Sequence, residues 1–205
     1  MYPSLLIYTQ KKLTSIFMNS QANLSKYLLR LTIGTLAILM IPLIAMQFSD
    51  EVTWTPLDFV IAGGLIFGTG MSYVLISRLS NNSIYRVALL LALLSAFLLV
   101  WLNAAVGLVG SENDSFNLIY FGVLVILIVG AFISRFKATG MANTLFVTAV
   151  IQGSTILIAL FANMHQSSES SVVEIILVNG FFVTLFSISG GLFWKVGNTL
   201  LKENE

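Results

Sequence analysis

The chain has no cysteine and a single histidine among its 205 residues. Disulfides, thiolate nucleophiles and cysteine-ligated metals are therefore excluded, as is a haem held by two histidines of one chain. Charge is scarce as well: acidic and basic residues together make up 9% of the sequence, where soluble domains carry about 25%. Hydrophobic residues make up 57%, and the mean hydropathy is +0.93. A soluble core of this size cannot absorb so much apolar surface, so the chain reads as an integral membrane protein whose first partner is the lipid bilayer. The net charge of +1 comes without a basic patch interleaved with aromatics, and no nucleic-acid partner is expected.

The few charges divide the chain. Charge-free stretches run 31–49, 59–77, 87–111, 115–134, 138–164 and 175–194. Each is near or above the ~20 apolar residues that a spanning helix needs. The expected fold is all-α, an integral membrane bundle of six transmembrane helices. They are placed at about 31–49, 57–77, 85–110, 115–134, 139–163 and 172–194, within a transmembrane domain 28–197. Residues 1–27 are expected to form a loosely ordered N-terminal tail and 198–205 a C-terminal one. The first apolar run lacks a clean small-x-small cleavage site and is read as a retained helix. Short links predict that sequence neighbours are antiparallel neighbours in space.

With six helices, every Lys and Arg falls on one side: Lys11, Lys12, Lys26, Arg30, Arg78, Arg86, Arg135, Lys137, Lys195 and Lys202. Asp50, Glu51, Asp58, Glu112, Asp114, Glu169 and Glu174 fall on the other, and only Glu203 and Glu205 share the basic side. Cytoplasmic loops carry the Lys/Arg excess, so both termini are expected in the cytoplasm.

Several helix starts are written locally. Thr55-Pro56-Leu57-Asp58 supplies a cap, a first-position proline and a carboxylate that can bond back. Ser171-Val-Val-Glu174 has the capping-box spacing. Asp114 or Ser115 can cap the fourth helix, and Pro42 should kink the first. Small residues recur at helical spacing as Gly64, Gly68 and Ser72 in the second helix. In the sixth they recur as Gly180, Thr184 and Gly191. Both stripes are candidate helix-packing faces, because a neighbouring backbone can approach closely there.

Polar side chains inside the spans are the remaining signal. Thr144, Thr148, Gln152, Thr155, Ala159 and Asn163 lie along one face of the fifth helix. Asn103 lies on a small-residue face of the third, Asn117 and Tyr120 begin the fourth, and Asn179 lies near the outer end of the sixth. A buried amide is costly unless it finds a partner. Asn103, Asn117, Tyr120, Gln152 and Asn179 are accordingly expected to line one polar pocket opening outward, the alternative being separate interhelical hydrogen bonds. His165 is read as a solvated loop residue.

The run Phe97-Leu-Leu-Val-Trp101-Leu-Asn103-Ala-Ala-Val-Gly107-Leu-Val-Gly110-Ser-Glu112 resembles a family of bacterial multi-helix inner-membrane proteins of about this size with no assigned activity. So do Asn117-Leu-Ile-Tyr120-Phe-Gly122 and Arg135-Phe-Lys137-Ala-Thr-Gly140-Met-Ala-Asn-Thr-Leu-Phe146. The resemblance implies a bacterial inner membrane and carries over no catalytic residue.

The spans contain no Asp, Glu, Lys, Arg, His or Cys apart from Asp58, Arg86 and Glu174 at helix starts. No catalytic constellation, cofactor anchor or metal-ligand cluster appears, and no enzyme activity or cofactor is expected. Two functions remain. One is a passive or weakly coupled permease or channel for a small neutral or zwitterionic solute, since proton coupling usually employs an intramembrane carboxylate. The other is an accessory or assembly subunit that binds a further copy or another membrane protein through its small-residue faces.

Overall fold

A computed structural model describes the backbone of residues 3–49, 51–111, 114–164 and 171–202. It describes the side chains of those residues from 25 onward, apart from 200 and 201. Asp50, Glu112, His165 and Glu169 lie outside the described residues. The described residues are helical, without a strand: α1 (Pro3–Phe48), α2 (Pro56–Ile76), α3 (Ser83–Ala105), α4 (Ile119–Ile133), α5 (Ala138–Phe161) and α6 (Val172–Lys202). Two single 3-10 turns, Ser77–Leu79 and Ser115–Leu118, follow α2 and precede α4. Six segments are long and apolar enough to cross a membrane: Ser25–Phe48, Pro56–Leu79, Ser83–Ala105, Ser115–Ile133, Ala138–Phe161 and Val172–Thr199. The chain is thus all-α and suited to a multi-pass membrane protein.

The element boundaries depart from the expected ones where local chemistry outweighs hydropathy. The segment read as a loose tail is helical from Pro3. Proline is tolerated in a first turn, and no other proline or glycine occurs before Gly34 to break the helix. At the other end α6 runs on to Lys202, through the start of the expected C-terminal tail. Helix α3 stops at Ala105 rather than 110 because Gly107 and Gly110 adopt φ of 75° and 71°. That left-handed region admits glycine at no steric cost. A Cβ at Gly107 would also lie 2.6 Å from the Ser111 carbonyl oxygen.

The chain divides into two compact units, Met1–Val74 and Leu75–Glu205. In the first, α1 meets α2 at Gly63 and Gly70. A Cβ at Gly63 would lie 3.1 Å from Leu39 Cδ1, and one at Gly70 would collide with the Leu31 side chain. Helix α2 opens as its sequence indicates. The Asp58 carboxylate accepts from the Thr55 amide and hydroxyl at 2.7 and 2.8 Å, and the Asp58 amide donates to Thr55 Oγ1 at 3.3 Å.

The second unit is a ring of four helices, in which α3 touches α4 and α6, and α5 touches α4 and α6. Neighbours run antiparallel. As numbers rise along α5 they fall along α6: Thr139 faces Gly197, Phe146 faces Gly190, Gly153 faces Val183, and Thr155 reaches Asn179. Thr144 lies against Gly130 of α4, Ser189 Oγ of α6 donates to the Ala88 carbonyl of α3 at 2.8 Å, and the Tyr85 ring meets Phe193 edge-on. This order gathers Arg86, Arg135, Lys137, Lys195 and Lys202 at one end of the unit, and Asp114 and Glu174 at the other.

The inward face of α6 is Ile175, Asn179, Phe182, Phe186, Ser189, Phe193 and Val196, all essentially buried. This three-and-four spacing is that of a helix presenting one seam to its neighbours. The glycines of the two expected packing faces meet no neighbour within the described structure. A Cβ at Gly64, Gly68, Gly180 or Gly191 would meet nothing within 4 Å. The hydroxyls of Ser72 and Thr184 bond back to their own helices, at Gly68 and Gly180. The close approaches occur one residue away or on other faces, at Gly63, Gly70, Gly190 and Gly197. Lipid tails are as apolar as leucine, so no hydrophobic penalty forces the small face inward. In the four-helix unit the interior is filled by phenylalanine and leucine instead.

Candidate functional site

Three helices of the second unit bring polar groups to one point. Asn179 of α6 is fully buried, and its Nδ2 donates to the Ile175 carbonyl one turn earlier at 2.8 Å. That bond determines which end of the amide is oxygen. The Asn179 Oδ1 is surrounded by Tyr120 Oη of α4 and by Gln152 Nε2 and Thr155 Oγ1 of α5, each at 2.9 Å. Thr155 has one proton and a second acceptor, the Gln152 carbonyl, at 2.6 Å. Tyr120 and Gln152 are therefore the donors that depend on Asn179. A carbonyl oxygen has two lone pairs, and these two fill them.

Gln152 is held with its NH2 end toward Asn179 because the reverse would set two oxygens face to face. Its Oε1 is then a buried acceptor with no hydrogen-bond partner, in a residue with 0% exposure. No charged side chain belongs to the group. Leu145, Ala149, Ala159 and Phe182 are buried on the same helices.

Asn103 and Asn117 form a second group nearer the acidic end. Asn117 Oδ1 accepts from the backbone amides of Leu108 and Val109, each at 3.1 Å. Its Nδ2 donates to the Ser111 carbonyl at 2.7 Å, and its own carbonyl accepts from Asn103 Nδ2 at 3.3 Å. Leu108 and Val109 are buried although they belong to a loop. A buried loop needs partners for its backbone groups, and Asn117 supplies them. Asp114 starts the next turn by accepting from the Phe116 amide at 2.9 Å. Asn103 Oδ1 is buried without a partner, like Gln152 Oε1.

The five residues expected in one pocket thus fall into two groups. Tyr120, Gln152 and Asn179 meet directly, side chain to side chain. Asn103 and Asn117 meet through the Asn117 backbone and serve the 106–111 loop. Thr155 belongs to the first group and was not among the five. Its signal was present in the sequence, one turn after Gln152 on the polar face of α5. Asn163, read on the same face, lies beyond the end of α5 with φ of 57° and is exposed.

Among the described residues no three His, Asp or Glu side chains gather as metal ligands. The chemistry available is hydrogen bonding by neutral amides and hydroxyls in a low-dielectric interior. No protein-family model matches the chain, nor does any curated protein or solved structure.

Proposed function

We propose that the protein is a passive or weakly coupled permease or channel for a small neutral or zwitterionic solute. It lies in the bacterial inner membrane with both termini in the cytoplasm. The observation that carries this reading is the Gln152 Oε1 acceptor, buried beside Tyr120, Thr155 and Asn179 and without a donor. A buried amide oxygen is costly unless a donor reaches it, and the N–H or O–H of a solute is such a donor. The absence of a charged side chain from the group favours a neutral or zwitterionic solute and argues against tight proton coupling. Gathering the basic residues at one end of the four-helix unit supports a cytoplasmic basic end and a polar group in the outer half of the membrane.

A second reading, an accessory subunit that binds another membrane protein or a further copy, is favoured by the open space at Gly64, Gly68, Gly180 and Gly191. Another helix could approach closely there.

Proteoliposomes distinguish the two. Liposomes holding the full chain should equilibrate glycerol, urea or glycine several times faster than protein-free liposomes after an osmotic step. Gln152→Leu, with unchanged helicity, should return the rate to that of the protein-free control. No acceleration for any of the three solutes would refute the permease reading. A stoichiometric partner captured by cross-linking at Gly64 or Gly180 would then support the accessory one.

A further inference from the structure

A second feature lies at the opposite, basic end of the four-helix unit. A groove of about 640 Å³ opens between the turn before α3, the α4–α5 turn and the last turns of α6. Its walls include Ser80, Tyr85, Arg135, Lys137, Thr139 and Gly197. The α4–α5 turn is unusual: Arg135 and Phe136 both take left-handed backbone, with φ of 50° and 57°. The Phe136 amide closes the end of α4 on the Ala131 carbonyl at 3.1 Å, and its carbonyl accepts from Tyr85 Oη at 2.7 Å. The turn is thereby fastened to α3, while the Arg135 and Lys137 side chains remain exposed on the groove. Among the described residues no hydrogen bond or ion pair engages either side chain. The described acids of this unit, Asp114 and Glu174, are at its other end.

Helix α5 starts at the same place. Its N-cap, Lys137, makes no side-chain cap, so the helix itself offers no acceptor for the amides of Ala138, Thr139 and Gly140. Gly197 admits α6 closely at this point, for a Cβ there would lie 2.5 Å from Thr139 Cγ2. Two unpaired cations, a hydroxyl and the positive end of a 24-residue helix therefore converge on one concavity. The apolar spans end or begin at Ile133, Ala138 and Ser83, which puts the groove at headgroup depth.

We propose that this groove binds a phosphate-bearing anion through Arg135 and Lys137, with the first turn of α5 facing the phosphate oxygens. An anionic phospholipid headgroup and a free phosphate present the same chemistry, and two arms separate them. In the first, native mass spectrometry of the full chain in neutral detergent compares retention of phosphatidylglycerol with phosphatidylcholine. In the second, thermal unfolding is followed while inorganic phosphate is titrated against sodium chloride of equal ionic strength. A lipid source gives about a tenfold preference for phosphatidylglycerol that is lost in R135Q/K137Q and kept in K195Q. A free-anion source gives stabilisation by phosphate alone, again lost in R135Q/K137Q and kept in K195Q. If the double variant does not fold, the salt dependence of the unaltered protein decides. Screening at 0.5 M sodium chloride should abolish whichever preference is seen, and a preference indifferent to salt overturns the proposal. So does a protein with no preference in either arm, or a folded double variant that keeps the preference.

Discussion

Replacing Asn179 by leucine should destabilise the four-helix unit by roughly 2–4 kcal/mol. Leucine has nearly the shape of asparagine and creates no large cavity, so the loss is one of hydrogen bonding. Two donors, the Tyr120 hydroxyl and the Gln152 amide, lose the acceptor they share at 2.9 Å. Thr155 is spared, because the Gln152 carbonyl lies 2.6 Å away. Tyr120 and Gln152 are 1% and 0% exposed, so a stranded donor stays buried unless the group opens to water. Tyr120→Phe makes the contrast. It removes one donor and leaves Asn179 Oδ1 engaged with Gln152, so it should cost only about 0.5–1 kcal/mol. Reversible unfolding in mixed micelles of mild and denaturing detergent measures both. Equal effects of the two variants would show that Asn179 is not the hub.

Replacing Asn117 by leucine should have an effect of similar size but a local one, roughly 2–4 kcal/mol against opening of the 106–111 loop. The amides of Leu108 and Val109 lose the acceptor they share, and the Ser111 carbonyl loses one of two donors, keeping the Asp114 amide at 3.0 Å. Hydrogen exchange is the measurement. Protection at Leu108 and Val109 should collapse, whereas amides in the middle of α5 and α6 should keep theirs. Uniform loss of protection would mean that the loop and the bundle open together and that Asn117 holds more than its own loop.

The two asparagines show what could be read from the sequence and what could not. Charge-free runs located all six spans, because lipid tolerates few charges and the chain has few to misplace. Thr55 and Asp58, Asp114, and Ser171 gave helix starts, because a cap is a contact between residues two or three apart. The Glu174 amide does donate to Ser171 Oγ, at 3.2 Å. Longer-range facts were beyond that reading. Hydropathy could not show the division into two compact units. It also could not choose between the Gly180 and Phe182 faces of α6, because both are apolar and lipid accepts either. Asn103 and Asn117 looked like members of a membrane pocket because their hydropathy neighbours are apolar. Asn117 proves to serve a loop, which the glycines at 107 and 110 could have signalled. The groove at Arg135 was hidden because two non-glycine residues in succession adopt the left-handed conformation, and no propensity rule expects that.

The most direct test of an outward-opening polar path uses the absence of cysteine from the sequence. Any single thiol introduced is then the sole target of a charged, membrane-impermeant methanethiosulfonate reagent. Thr155→Cys places that thiol in the Asn179 group, and Leu157→Cys places one on an exposed apolar face of the same helix, where leucine is 59% exposed. The expected result is labelling of Thr155→Cys in right-side-out membrane vesicles, slower or absent in inverted ones, with Leu157→Cys unreactive in both. Labelling of Thr155→Cys only in inverted vesicles would reverse the orientation. No labelling from either side, in a protein that keeps its helicity, would contradict a hydrated path to Gln152.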